Sequence, residues 1–186
     1  MFGATSRISA IEGEVSSAAR PISQSVWVVS GFCDLVVLKS TGSEFKGFLK
    51  DEYTTLQETD DRIMATSLTA RWRITDPALE TDWDGMHAEV VAAMLERFAN
   101  LHSLALQQTL WEMGRAALEA FPAIAEIRLV APNKHHFLVD LGPFGLPNPG
   151  EVFHADDRPY GLIEASAVRE GAPDAGTAWY GFTGLV

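Results

Sequence analysis

The segment TDWDGMHAEVVAAMLERFANLHSLALQQTLWEMGRAALEAFP, residues 81–122, carries two helical patterns in succession. In the first pattern, apolar residues recur at steps of three and four: Trp83, Met86, Val90, Met94, Phe98 and Leu101. The second pattern repeats these steps: Leu106, Leu110, Met113, Ala117 and Phe121. Pro122 ends the second pattern. Ser103 is its candidate N-cap, whereas Asp76 or Thr81 would cap the first. We therefore predict two consecutive amphipathic helices.

Short strand patterns lie on both sides of the helices. They cover residues 25–30, 34–38 and 62–74 before the helices, and residues 124–130, 135–141 and 161–168 after them. The longest run places alternating residues on opposite faces of a half-buried strand: Leu68, Ala70 and Trp72 on one, and Thr69, Arg71 and Arg73 on the other. We interpret Gly31 as a break between the first two runs, and residues 131–134 as the connection between two separate strands. The order of elements predicts an α+β fold, with two helices packed on one face of a mainly antiparallel sheet.

The composition limits the class of protein. With 186 residues, of which 47% are hydrophobic and 21% are charged, the chain is expected to form one packed domain of ordinary size. Its net charge of -11 disfavours nucleic acid and an anionic membrane surface as main partners, because both attract clustered Lys and Arg. A small anionic substrate stays compatible with this charge, since one well-placed arginine can hold it.

Targeting and metal signals are also informative. No apolar run approaches the ~20 residues that span a bilayer. Residues 1–10 lack the basic flank and apolar stretch of a signal peptide, so we expect a cytoplasmic protein. Cys33 is the only cysteine, and the five histidines include no pair at the i, i+4 spacing of zinc proteases. We therefore expect no internal disulfide and no metal site.

Two candidate site residues come before the helices. Phe45 follows a turn and could supply a flat platform for a planar heterocycle, although an isolated phenylalanine is more often a core residue. Arg62 opens the long strand, and its guanidinium could grip an anionic ring through two parallel hydrogen bonds. A surface ion pair with Asp60 or Asp61 is the alternative role of Arg62, and the pattern alone favours that alternative.

The other candidates lie at the second helix and near residue 134. The backbone N–H of Leu106 and the side-chain amide of Gln107 would form a polar edge that reads ring oxygen and nitrogen atoms. A solvated glutamine is the alternative. Asn133 and His135 are two residues apart, so they face the same way in an extended segment. There they could position oxygen or water and move a proton, although a histidine that begins a strand is more often structural.

In combination, these segments strongly resemble those of one enzyme family, the urate oxidases. The motifs that carry the resemblance occur in order between residues 25 and 170: DLVVLKSTGSEF (34–45), GFLKDEYTTL (47–56), DRI (61–63), LQQTLW (106–111), PNKH (132–135) and DRPYGLI (157–163). They are similar to the carboxyl-terminal half of a urate oxidase.

The resemblance implies a tunnelling fold (T-fold), in which an antiparallel sheet carries two helices, and a tetramer built around a tunnel. It also implies an oxidoreductase of purine degradation that needs no metal, flavin or haem cofactor. The expected reaction is oxidation of urate by O2 and water to 5-hydroxyisourate and H2O2. At matching motif positions, Asn133 would hold oxygen or water above the substrate, and His135 would be the catalytic residue of a proton relay.

Four further positions match the family's substrate-binding residues. The resemblance implies that Phe45 stacks on the purine ring, and that Arg62 and Gln107 grip its edges. The backbone amide of Leu106 would contact a ring oxygen. The family often has valine at this position, a departure that matters little if the backbone makes the contact.

The chain departs from the family pattern at its beginning. Family members have an earlier domain that supplies a Lys–Thr pair to the relay, whereas the first lysine here, Lys39, belongs to another motif. We interpret residues 1–31 as the remnant of an amino-terminal T-fold domain, and residues 32–186 as the carboxyl-terminal T-fold domain. Activity is therefore expected to need either a homo-oligomer, namely a tetramer, or a companion amino-terminal half.

Two alternatives stay open at this point. The first is a catalytically inactive purine-binding or structural T-fold module. The second is a pterin or GTP-ring enzyme of the same fold, which the histidine spacing disfavours because those enzymes generally use zinc-binding histidine clusters.

Overall fold

The computed structural model describes residues 25–181. The elements in chain order are β1 Val29–Lys39, β2 Met64–Ile74, α1 Trp83–Asn100, α2 Leu106–Ala120, β3 Ile124–Leu138, a 3-10 turn Gly142–Phe144, β4 Phe153–Asp156 and β5 Leu162–Val168. The strands form one antiparallel sheet in the order β1-β2-β3, and both β5 and β4 pair with the second edge of β3. The predicted α+β class with two helices is confirmed. Within residues 25–181, neither helix combines the length and apolar character needed to cross a bilayer.

The core lies between the sheet and the two helices. From β2, Leu68, Ala70 and Trp72 are at most 1% exposed, as the predicted alternation requires. The helices bury their periodic apolar residues against them, among which are Val90 and Met94 of α1. Transfer of such side chains out of water contributes about 1.5–3 kcal/mol each, so this layer holds the fold together.

The opposite face of β2 is less exposed than predicted. Arg73 is only 2% exposed, because the segment after β5 covers it. Its guanidinium donates to the carbonyl of Pro173 at 2.8 Å and lies 3.7 Å from the carboxylate of Glu126. Trp179 donates its indole N–H to the same carboxylate at 3.1 Å. The end of this polar strand face, at Arg73, therefore becomes a buried ionic layer under the carboxyl-terminal segment.

The predicted break at Gly31 is wrong, since β1 is continuous across it. The register with β2 shifts between Phe32 and Leu35, where Asp34 has a φ of 56° and donates its backbone N–H to Thr69. Gly31 marks a close approach of two backbones instead: an added Cβ would lie 2.3 Å from the carbonyl oxygen of Ala70. The glycine thus permits pairing rather than ending it.

The predicted division into two strands at residues 131–134 is also wrong, because β3 runs through these residues. Pro132 has no N–H, but its carbonyl accepts a hydrogen bond from the Thr66 hydroxyl at 2.8 Å, which ties it to β2. On the other edge, Pro132 is the last residue of β3 to pair with β5, opposite Leu162. A proline can occupy a strand position where its missing N–H breaks no ladder bond.

The helix caps differ from the predicted ones. Asp82, not Asp76 or Thr81, caps α1 by accepting a hydrogen bond from the backbone N–H of Gly85 at 3.1 Å. Asp76 instead accepts from Ala78 and forms a separate turn.

At α2 the N-cap is Ala105, which makes no side-chain cap bond. The predicted cap, Ser103, is fully buried, and its hydroxyl bonds with that of Thr109 at 2.7 Å. Gln108 reaches back and accepts from the backbone N–H of Leu104 at 2.8 Å. This bond is similar to the reverse bond of a capping box, but it ends at Leu104, one residue before the N-cap.

The predicted domain boundary between residues 31 and 32 falls inside β1. Residues 1–24, on which the interpretation as a domain remnant mostly depends, lie outside the described residues. That interpretation stays a prediction.

Gly31→Ala should destabilise the chain by about 1–3 kcal/mol, because the new Cβ would overlap the backbone of β2. Gly161→Ala is the matched control, since its Cβ would meet only Asn133, at an ordinary 3.9 Å. Urea unfolding followed by circular dichroism measures both. Equal free energies of unfolding for the two variants would contradict the close approach at Gly31.

Asp82→Ala should cost about 1 kcal/mol of stability, because the first turn of α1 would lose its side-chain acceptor. Asp84→Ala is the control: Asp84 lies in the same acidic first turn but is not the cap. Thermal and urea unfolding should rank Asp82→Ala clearly below Asp84→Ala. The reverse ranking would show that the charge, and not the cap bond, matters.

Candidate active site

A cleft of about 590 Å³ opens where three parts of the chain meet: the loop between β1 and β2, the start of α2, and the second half of β3. Five of the six predicted site residues line it: Phe45, Arg62, Leu106, Asn133 and His135. The sixth, Gln107, is exposed and does not line the cleft. Residues spread over ninety positions of sequence therefore converge on one cavity.

Phe45 forms a firmly held aromatic wall. Its backbone exchanges two hydrogen bonds with Thr59, at 2.9 and 3.1 Å, which fix the base of the loop. Phe48 stacks on its ring, with centroids 4.9 Å apart and planes 18° from parallel. Because Phe45 lines the cleft and Phe48 does not, Phe48 supports the ring from outside the cleft lining. Sequence reasoning gave Phe48 no role, although its spacing of three from Phe45 was visible.

Arg62 lies against this wall and has no carboxylate partner among residues 25–181. Its Cζ is 4.8 Å from the centroid of the Phe45 ring, and its Nε is buried with no hydrogen-bond partner. Burial lowers the pKa of its guanidinium from the usual value. The alternative of an ion pair is not realised, because Asp60 pairs with Lys46 and Asp61 serves the neighbouring loop. A guanidinium with unsatisfied N–H in a cleft can hold an anion.

Asp61 ties the loop down beside Arg62. Its carboxylate accepts hydrogen bonds from the Thr41 hydroxyl and from the backbone N–H of Ser43. These bonds hold the pKa of the Asp61 carboxyl below its usual value, so it stays ionised. The backbone N–H of Arg62 donates to the carbonyl of Ser43 at 2.7 Å. The turn at residues 41–43 therefore sets the position of Arg62.

The start of α2 offers backbone rather than side-chain chemistry. The side chain of Leu106 is 4% exposed and belongs to the core, so only its backbone can serve a polar ligand. Its N–H lies in the first helical turn, where no intrahelical acceptor exists. Gln107 follows about 100° further round the helix and faces solvent. The structure does not bring Gln107 into the cleft.

Asn133 and His135 occupy adjacent positions on one face of β3. The backbone N–H of Asn133 donates to the carbonyl of Gly161 at 2.8 Å. His135 places Nε2 2.9 Å from the carbonyl oxygen of Pro159, and its ring stacks on Phe137 at 5.4 Å. The imidazole is therefore held in one orientation at the cleft wall.

The cleft carries a local excess of positive charge. Within the described part of the chain, two cationic residues, Arg62 and Lys134, and one carboxylate, Asp61, line it. Lys134 lies inside a recognised motif, but sequence reasoning assigned it no role. The local positive charge of the cleft is opposite in sign to the overall charge of -11, and it favours an anionic ligand. Among residues 25–181, no three His, Cys, Asp or Glu side chains come together as a metal site.

Comparison with known sequences places these features in a family. A sequence model of the uricase family matches residues 28–164. The uricase of Arthrobacter globiformis is 55% identical over 175 residues, which are 94% of this chain and 57% of that protein. The uricase of Danio rerio is 34% identical over 158 residues, which are 82% of this chain and 52% of that protein. The chain thus spans about half the length of the curated relatives that it matches.

Solved structures agree with the fold. The crystal structure of Arthrobacter globiformis uricase matches with a TM-score of 0.79 at 57% identity, over 84% of this chain and 54% of that one. A uricase from Bacillus fastidious matches with a TM-score of 0.62 at 25% identity, over 79% of this chain and 46% of that one. The antiparallel sheet with two helices is the T-fold of these proteins, which confirms the predicted architecture. The sequence and the fold of this chain agree, and the chain belongs to the uricase family.

Proposed function

We propose that this chain supplies the urate-gripping half of a urate oxidase. The reaction is the oxidation of urate by O2 and water to 5-hydroxyisourate and H2O2, without a metal or organic cofactor. The observation that carries the proposal is the Arg62 guanidinium, which has an unpaired, buried Nε and lies against the Phe45 ring in a cleft. Family membership supports the choice of substrate, since the relatives are named uricases.

Each part of a flat purine anion meets a matching group in this proposal. The Phe45 ring stacks on the purine plane, and Phe48 keeps Phe45 in place. Arg62 turns its N–H groups to the anionic edge, where two parallel hydrogen bonds are stronger than one neutral bond. The backbone N–H of Leu106 contacts a ring oxygen. Gln107 is proposed to grip the other edge, which requires its exposed side chain to swing toward the cleft.

The protein has a limited chemical task. A urate dianion is electron-rich enough to give an electron to O2 itself, so the site must bind the ring, remove a proton and position the reactants. Asn133 is proposed to hold O2 or water over the ring, and His135 to accept a proton and pass it on. The positive charges of Arg62 and Lys134, which both line the cleft, favour the dianion electrostatically.

The site needs a second half. Because the chain spans about half the length of its relatives, we propose that the Lys–Thr part of the relay comes from an amino-terminal half, in a homo-tetramer or on a companion polypeptide. The same half-length coverage favours one alternative, a T-fold module that binds purines without turning them over. Calorimetry with a non-reactive purine analogue such as 8-azaxanthine, alongside the activity assay, separates these two functions.

The decisive assay mixes this chain with a separately expressed amino-terminal half of a close uricase. Urate loss is followed by its ultraviolet absorbance, and H2O2 by a coupled peroxidase. We expect slow or no turnover by the chain alone and stoichiometric peroxide from the mixture. Analogue binding without turnover, with both pieces folded and associated, would favour the binding module. Neither binding nor turnover would refute the proposed function.

Arg62→Ala should weaken binding of the purine analogue by about 3 kcal/mol, roughly 100-fold in Kd, because a desolvated anion loses its charged partner. Arg62→Lys should recover only part of this loss, since an ammonium lacks the planar fork. Arg115→Ala is the control, because Arg115 does not line the cleft and pairs with Glu112 and Glu119 on α2. Calorimetry measures all three. Unchanged affinity of Arg62→Ala would disprove this role.

His135→Ala should lower kcat of the reconstituted enzyme much more than it raises KM, because the imidazole moves a proton and the ring is gripped by other groups. General acid–base catalysis contributes about 100- to 10,000-fold, which sets the expected loss. His154→Ala is the control, since His154 is exposed on β4 and does not line the cleft. A loss confined to KM would make His135 a binding residue only.

A further inference from the structure

The second edge of β3 is shared between two strands. β5 pairs with β3 as far as Pro132, opposite Leu162, and β4 pairs with it from His135 onward, opposite Asp156. β4 and β5 therefore run in the same direction along this edge, and the connection between them, residues 157–161, bulges out opposite residues 133–134 of β3. Two bonds hold this connection: Asp156 accepts from the backbone N–H of Arg158 at 3.0 Å, and Gly161 accepts from Asn133.

This topology places a backbone carbonyl against the imidazole of His135. The oxygen of Pro159 lies 2.9 Å from Nε2. A carbonyl oxygen can only accept, so Nε2 must carry the hydrogen of this bond. In a neutral imidazole, Nδ1 is then the nitrogen with a free lone pair. His135 lines the cleft, whereas its bonding partner Pro159 does not.

We propose that the Pro159 carbonyl is a positioning group that fixes the tautomer of His135, and that Nδ1 is the atom that accepts the proton in the cleft. The role of Nδ1 as a base rests on the proposed urate oxidase function, whereas the tautomer does not. In the transfer, a proton leaves the bound ring or a water and bonds to the lone pair of Nδ1. Nε2 keeps its hydrogen, and its bond to Pro159 becomes charge-assisted, so the ring need not turn.

The stack on Phe137 supports this assignment. The two rings lie 5.4 Å apart and 15° from parallel, so rotation of the imidazole out of its plane would break the stack. A half-turn about the Cβ–Cγ bond would keep the stack but would remove the N–H from Pro159 and leave its carbonyl unpaired by His135. The carbonyl therefore selects between two ring orientations that packing alone would allow.

The adjacent histidine provides an internal control. His136 places Nδ1, not Nε2, 3.1 Å from the carbonyl oxygen of Lys134. The same reasoning gives it the opposite tautomer, with the hydrogen on Nδ1 and the lone pair on Nε2. Two neighbouring residues with opposite tautomers cannot be explained by a general preference of imidazole in this protein.

Long-range ¹H–¹⁵N correlation spectra of the full ¹⁵N-labelled chain test the proposal without any substrate. The spectra are recorded at about pH 8.5, well above the ordinary pKa of an imidazole. His135→Gln and His136→Gln variants assign the signals. We expect a pyridine-type shift for Nδ1 of His135 and for Nε2 of His136. A protonated Nδ1 in His135, or averaged shifts for its two nitrogens, would overturn the assignment.

A second measurement uses the reconstituted enzyme with the purine analogue bound. If Nδ1 is the atom that meets the ligand, its shift should change on binding by far more than that of Nε2. A change at Nε2 alone would overturn the proposed role of Nδ1. The expected free-state tautomer together with a reconstituted enzyme that neither binds nor oxidises urate would refute the proposed function, but not the positioning by Pro159.

Discussion

Strand β3 runs for fifteen residues, and its backbone hydrogen bonds must be satisfied along two edges. β2 pairs with one edge, while β5 and then β4 share the other. This sharing brings the connection between β4 and β5 alongside Asn133 and His135, at the wall of the cleft. The polar residues of β3 thereby gain fixed backbone partners, Gly161 and Pro159. The sheet ladder that stabilises the fold is therefore also the scaffold of the proposed proton relay.

The positive charge of Arg62 stays available in the cleft because the two carboxylates that precede it are bound by other groups. Two carboxylates precede Arg62 directly, and either would neutralise it if the loop allowed. Asp60 is held by Lys46, and Asp61 is held by the hydroxyl and amide of the turn at residues 41–43. The guanidinium is left with the Phe45 ring as its neighbour and with an unsatisfied Nε. A chain with a charge of -11 thus keeps one half-buried cation available for an anion.

Much of this organisation could be predicted from the sequence. Helical periodicity located α1 and α2 because each buries one apolar stripe, and motif resemblance located five of the residues that line the cleft. Local patterns failed where tertiary contacts decide: Gly31 and Pro132 act as breaks in isolation but are accommodated by a facing strand. The four-residue β4 is too short to show a period. The role of Gln107 stays a prediction, because its side chain is exposed and does not line the cleft.

The central claim is that Phe45 and Arg62 form one receptor for a flat purine anion. A crystal structure of the chain with 8-azaxanthine, solved with the companion half if that is needed for binding, tests it most directly. The account predicts a purine ring parallel to Phe45, with the Arg62 guanidinium moved from the face of that ring to the edge of the purine. A purine bound elsewhere, or one in the cleft that contacts neither Phe45 nor Arg62, would contradict it.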